Sequence, residues 1–227
     1  MTEPAARKSD FTVRVASAMA MVAVAGVALW LGGWLFTAFV GIIAFGGYFE
    51  WWALVSKLAS TLVVRAAWML SGATYIGVAA FALVALRNSG LETACTVIAM
   101  VIAVDVGAYF AGRAVGGPKI APAISPSKTW AGLAGGMIAS TVTLFVAIWL
   151  IGDVPPAQVI DLDFVLIGCI VALVAQAGDF LESWMKRRAG VKDSGALIPG
   201  HGGLLDRVDG LLAVLCLTAI VYRDLLV

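Results

Sequence analysis

The residues of this chain that could do chemistry are acids, basic residues and glycines gathered toward the C-terminus. Asp179 and Glu182 stand three residues apart, as do Asp206 and Asp209, and on a helix that spacing puts each pair on one face. Between the pairs the chain reads Lys186-Arg187-Arg188, then Lys192-Asp193, then Pro199-Gly200-His201-Gly202-Gly203. Carboxylates hold Mg²⁺ through oxygen, Lys and Arg supply countercharge to phosphate, and glycines let backbone N–H groups approach a phosphate closely. Two pairs of acids facing one another would repel unless something cationic lies between them. Together these parts describe a metal-nucleotide site; the plainer reading is a basic loop beside a membrane, touching anionic headgroups.

A second segment, Ser125-Pro126-Ser127-Lys128-Thr129-Trp130, offers hydroxyls and a lysine just before an apolar run. At a helix N-terminus, free N–H groups and the helix dipole favour an anionic phosphate. For Ser127 or Thr129 alone, capping the helix is the simpler role. The glycine pattern of a P-loop is missing before Lys128, which disfavours a soluble P-loop ATPase. His201 is the only histidine, so a His-rich metal site or a Ser-His-Asp hydrolase cannot be assembled without it. It either contacts a phosphate or is a solvated turn residue. Cys95, Cys169 and Cys216 sit in separate apolar runs and read as packing residues.

The elements that must position these groups are membrane helices. The chain is 62% hydrophobic and 13% charged, with a mean hydropathy of +1.00, more apolar surface than a water-soluble fold can hide. Seven apolar runs are long enough to cross a bilayer, at 15–31, 34–55, 66–86, 91–112, 130–151, 163–184 and 205–223. The fold class expected is therefore all-α, a polytopic bundle of about seven spans forming one domain over residues 1–227. Residues 1–90 would supply N-terminal spans, with the first helix retained rather than cleaved as a signal, and residues 91–227 the chemistry. Threading the runs in order puts the N-terminus and the loops 56–65, 113–129 and 185–204 on one side, with thirteen of the fifteen Lys and Arg residues. By the positive-inside rule that side, and the N-terminus with it, is cytoplasmic. Tryptophans near span ends, Trp30, Trp34, Trp51 and Trp52 among them, fit an interfacial belt. Glu50, Asp105, Asp179, Glu182, Asp206 and Asp209 lie within or at the ends of the runs, where an acid costs about 2.5 to 3.5 kcal/mol, so each needs a partner, a wet cavity or a function. A net charge of +1 gives no reason to expect a nucleic-acid partner.

Ser183, Lys186-Arg187, Lys192-Asp193, His201-Gly202-Gly203 and Asp206-Arg207-Val208-Asp209 together resemble the signature of the phosphatidate cytidylyltransferases, which spans 183–209 here. Asp105 to Tyr109, Ser125 to Trp130 and Gly178-Asp179 are also similar to that family. The first 90 residues match it mainly as hydrophobic spans, and the chain is shorter than many members. The resemblance implies that CTP and phosphatidic acid give CDP-diacylglycerol and pyrophosphate, in a bacterial cytoplasmic (inner) membrane. Asp179, Asp206 and Asp209, with Asp105 as a second-rank candidate, would hold one or two divalent ions, Mg²⁺ first among them. Asp179, Asp206, Lys128, Lys192 and His201 would be catalytic. Ser125, Lys128, Thr129, Lys186, Arg187, Lys192, Asp193, Gly202, Gly203 and Arg207 would bind the triphosphate and the lipid phosphate, with the acyl chains entering from the bilayer. Membrane lipid is the surrounding partner and a homodimer is left open. A related lipid nucleotidyltransferase or polyprenol kinase could use the same acids. A secondary transporter could use them to carry protons or cations, but near mid-bilayer.

Overall fold

A computed structural model describes residues 4–152, 162–198 and 202–221, with side chains from residue 15 onward. Among these are seven helices: α1 (Pro4–Leu31), α2 (Gly33–Leu58), α3 (Leu62–Ser89), α4 (Leu91–Ala114), α5 (Trp130–Ile151), α6 (Leu162–Arg188) and α7 (Leu205–Val221). Helix is what these runs must form, because hydrocarbon offers no partner for an unpaired backbone N–H or C=O. Five of them, α2 to α6, are long and apolar enough to cross a membrane, while α1 carries a shorter apolar stretch, Val15–Leu31. The all-α polytopic bundle expected from the sequence is the fold observed.

Helix ends fall where the sequence interrupts itself. Gly32 and Gly33, at φ 65° and 57°, turn α1 into α2, a left-handed conformation that glycine adopts at little cost. Thr61 opens α3 by accepting a hydrogen bond from the Val64 N–H at 3.4 Å. Between α4 and α5 lies an element the all-helical expectation does not contain, an antiparallel hairpin of β1 (Lys119–Ala121) and β2 (Ser125–Thr129), with Lys119 opposite Thr129 and Ala121 opposite Ser125. Pro118, Pro122 and Pro126 explain it, since proline removes a helical donor and confines its neighbours to extended or turn conformations. A lone hairpin is marginal in water, and this one is tied to the bundle, with Trp130 N–H donating to Pro118 C=O and Arg187 Nε to Ile124 C=O.

Polarity is arranged as in a protein bathed in lipid. Trp34, Ile42, Phe45, Leu62, Leu70 and Ile138 are well exposed, whereas Glu50, Gln176, Glu182 and Ser194 are buried. Trp30 and Trp34 are exposed as an interfacial belt requires. Trp51 is not, which corrects the reading of that residue: only 5% exposed, it packs with Trp68, Tyr75 and Met185 and donates from Nε1 to the Trp68 C=O at 2.9 Å.

Glycines decide how closely the helices that carry the polar groups approach. A Cβ on Gly107 would strike the Gly135 carbonyl, and one on Gly132 would lie 2.9 Å from the Ala108 carbonyl. Helices α4 and α5 thus pack backbone to backbone along Gly107, Gly132, Gly135 and Gly136. Gly178 does the same for α6 and α7, where a Cβ would lie 2.5 Å from the Asp209 carbonyl. Asp179 and Asp209 are neighbours because Gly178 has no side chain.

Candidate active site

The polar groups meet at one end of the bundle. The Arg187 to Ile124 bond joins the loop after α6 to the hairpin, and Glu50 near the end of α2 reaches the start of α7. The α2–α3 turn, the hairpin and the described residues between α6 and α7, 189–198 and 202–204, therefore share that end, as the charge pattern requires. The turns at 31–33 and 87–90 lie together elsewhere, held by Arg87, whose guanidinium donates to the Leu29 and Trp30 carbonyls.

Two adjoining groups of charges form the site. In the first, Lys128 at the end of β2 is aimed by its neighbour: Thr129 is buried, and its Oγ1 accepts from the Gly132 N–H at 3.0 Å to cap α5. Lys128 Nζ forms an ion pair with Asp179 Oδ2, and Ser183 Oγ donates to Asp179 Oδ1 at 3.2 Å. Asp105 of α4 lines the same cavity as Lys128, and Asp105, Asp179 and Asp209 lie within one another's electrostatic reach. Asp105, Arg113, Lys119, Ser127, Lys128 and Gln176 line a cavity of about 450 Å³ between α4, α5, α6 and the hairpin.

The second group surrounds Lys186. Its Nζ sits between two acids, bonded to Glu182 Oε2 at 2.6 Å and to Asp206 Oδ1. Here is the cation that two facing acidic pairs demand, a lysine of the chain itself. Asp206 Oδ2 accepts from the Ser194 N–H and the Gly203 N–H, both at 2.9 Å, and lies 3.0 Å from Ser194 Oγ, whose single proton it shares with Glu50. Glu50, 2% exposed, accepts from Ser194 Oγ, Leu204 N–H and Leu205 N–H, all at 2.9 Å. Among the described residues Glu182 Oε1 is a buried oxygen with no hydrogen-bond partner.

The remaining site residues expected from the sequence fall around these groups. Lys192 and Asp193 are exposed on the loop after α6, Arg187 and Arg207 are exposed at the helix ends beside it, and Ser125 is half-buried at the start of β2. The Gly203 N–H is engaged by Asp206, and the Gly202 carbonyl accepts from the Ile198 N–H at 3.1 Å, so this part of the glycine run is tied to protein partners. His201 lies outside the described residues. Arg188 stacks over Trp184, its guanidinium carbon 5.4 Å from the ring centroid. Glu50, Ser194 and Gln176 join the site without being expected there. For Glu50 the signal exists, an acid inside an apolar run; for Ser194 and Gln176 no local pattern marks them.

Among the described residues no three His, Cys, Asp or Glu side chains come close enough together to hold a metal ion. Mg²⁺ does not require such a cage, since it is commonly bound through one or two carboxylates with water and substrate phosphates completing the shell. The all-oxygen donors of Asp179 and Asp209, on the two helices that approach closely at Gly178, fit that mode, with Asp105 on α4 as a further carboxylate lining the neighbouring cavity. Asp206 stands in the other group, with Lys186 on one carboxylate oxygen and three loop donors on the other.

A helical membrane bundle with cations, acids and a tethered polar loop at one end defines a membrane-embedded, phosphate-handling protein. Residues 59–225 match the model of the cytidylyltransferase family, and the chain belongs to that family. It is 39% identical over 197 residues to the phosphatidate cytidylyltransferase of Brucella melitensis biotype 1, covering 82% of this chain and 71% of that protein. It is 43% identical over 124 residues to the one of Haemophilus influenzae, covering 55% and 43% of the two chains. To that of Mycobacterium leprae it is 41% identical over 155 residues, covering 68% and 46%.

Proposed function

We propose that this protein transfers the cytidylyl group of CTP to phosphatidic acid at the cytoplasmic face of a bacterial inner membrane, releasing CDP-diacylglycerol and pyrophosphate. The observation that carries this reading is Lys128, paired with Asp179 and lining a cavity that also holds Asp105, Arg113 and Lys119, in a chain whose relatives bear the name of that enzyme. A phosphate oxygen of phosphatidic acid attacks the α-phosphorus of CTP, the bond from that phosphorus to the bridging oxygen breaks, and the electron pair leaves with pyrophosphate. The attacking oxygen is already anionic near neutral pH, so the protein's task is positioning and charge neutralisation. Lys128, released from Asp179, supplies a positive charge to the phosphates, and Arg113 and Lys119 line the same cavity. Mg²⁺, when bound, would be held by Asp179 and Asp209 with Asp105 beside them, and supplies neutralisation of the triphosphate and the departing pyrophosphate.

All seven helices are proposed to cross the membrane, with the N-terminus and the site on the cytoplasmic side. Cysteines placed at Lys119 and Lys192 should then react with an impermeant reagent from that side only. The activity is tested with purified protein, labelled CTP and phosphatidic acid. Labelled CDP-diacylglycerol should form with Mg²⁺ and cease in excess chelator; full turnover in chelator would remove the metal, and no product would remove the reading. The association of the acids with residues of the loop end favours an enzyme over a transporter with its site at mid-bilayer.

A further inference from the structure

The loop between α6 and α7 has to hold its shape beside a charged substrate, yet it is irregular and rich in glycine. The N–H groups that open α7 have no partners within their own helix. Two of them, on Leu204 and Leu205, donate to Glu50, which stands about 150 residues earlier in the chain, on α2, outside the segment that matches the family model. Ser194 Oγ lies within hydrogen-bond distance of both Glu50 Oε2 and Asp206 Oδ2, at 2.9 and 3.0 Å, and so couples the two carboxylates. The glycines leave room for this arrangement: a Cβ on Gly195 would collide with the Glu50 carboxyl group, and one on Gly203 with Ser194 Oγ, the Gly195 nitrogen and Glu50 Oε2.

We infer that Glu50 is a positioning residue for the reaction, a buried carboxylate that ties Ser194 to Leu204 and Leu205 so that Lys192, Arg207 and Asp209 are presented to substrate. A buried acid is tolerated only where donors converge on it, and here three do, none of them from its own helix. Glutamine in its place keeps the size but puts an NH₂ group among N–H and O–H donors, so at least one of the three bonds must break. Ser194 is the coupling element, and its loss should matter less once Glu50 is replaced, when only its contact to Asp206 is left to lose.

The inference rests on the cytidylyltransferase reading for its activity arm alone. Purified Glu50→Gln, Ser194→Ala and the double variant are compared with wild type for turnover of CTP and phosphatidic acid, thermal unfolding, and peptide-level hydrogen exchange. Glu50→Gln should lower kcat about tenfold or more, the loss that follows when one hydrogen bond to a buried charged group goes. It should speed exchange over 194–205 and leave α3, α4 and α5 as protected as in wild type. Ser194→Ala should show a smaller loss of the same kind. The double variant should lose less than the sum of the two single losses, because groups acting as a unit are not additive. Wild-type exchange and turnover in Glu50→Gln would overturn the inference, as would deprotection spread evenly over the bundle or additive losses in the double variant. If wild type makes no CDP-diacylglycerol while Glu50→Gln still loosens 194–205 alone, the clamp stands and the reading of the activity falls.

Discussion

Two lysines hold the two halves of the site, and their surroundings differ. Lys128 and Asp179 are 21% and 24% exposed in their side chains, and Lys128 lines an open cavity; Lys186 and Asp206 are 14% and 11% exposed, and Lys186 also carries Glu182. Asp179 accepts from Lys128 and Ser183, whereas Asp206 accepts from Lys186, the Ser194 N–H and the Gly203 N–H and shares the Ser194 hydroxyl with Glu50. The same acid-lysine chemistry thus stands in two settings, once with few further donors and once tied into the loop; under the proposed function the first is where substrate would exchange with it. Exposure sets the difference, because a pair that solvent can reach is weakly held, and a buried one leaves an uncompensated charge when broken.

The largest effect should come from the buried half. Asp206→Asn removes the acid beside Lys186 and should cost about 3 to 5 kcal/mol of stability, the range for breaking a buried ion pair. Chemical or thermal unfolding of the detergent-solubilised protein measures it, and a variant as stable as wild type would erase the contrast. Asp179→Asn should do the reverse, lowering turnover about a hundredfold or more with little change in unfolding temperature. Lys128→Ala should lower kcat/KM for CTP about tenfold or more, since a charge-assisted contact to phosphate contributes about 1.5 to 3 kcal/mol. Measuring kinetics and unfolding on one preparation decides its role: unchanged kinetics would take Lys128 out of the site, and a large loss of stability would return it to a structural part. The smallest effect is expected at Arg188, whose stacking on Trp184 contributes about 0.5 to 1 kcal/mol; Arg188→Gln should unfold slightly earlier and turn over CTP within about twofold of wild type.

Much of this architecture is legible in the amino-acid sequence. Hydropathy places seven helices in order, and the distribution of Lys and Arg already collects the three polar loops at one end, because both signals are local sums that no tertiary contact can reverse. The acids at 105, 179, 206 and 209 announce themselves by their cost in an apolar setting. The hairpin at 119–129 is not legible in this way: its prolines mark only a break before a helix, and the two strands become visible once they pair.

Partnership is what sequence spacing could not decide. Asp179 and Glu182 share a helical face, yet one turns to Lys128, some 50 residues earlier, and the other to Lys186, four residues on. Glu50 shows itself as an acid that needs a partner, and nothing near it in the chain could be one; its donors are 144 to 155 residues away. The sequence by itself determined that this is a membrane bundle with acids, bases and glycines gathered at one end, since composition and periodicity act within a single helix. The tertiary structure alone decided which carboxylate stays available and which is saturated. That depends on how closely helices approach at Gly107, Gly135 and Gly178, and on what the approach brings within the reach of a hydrogen bond, about 3 Å.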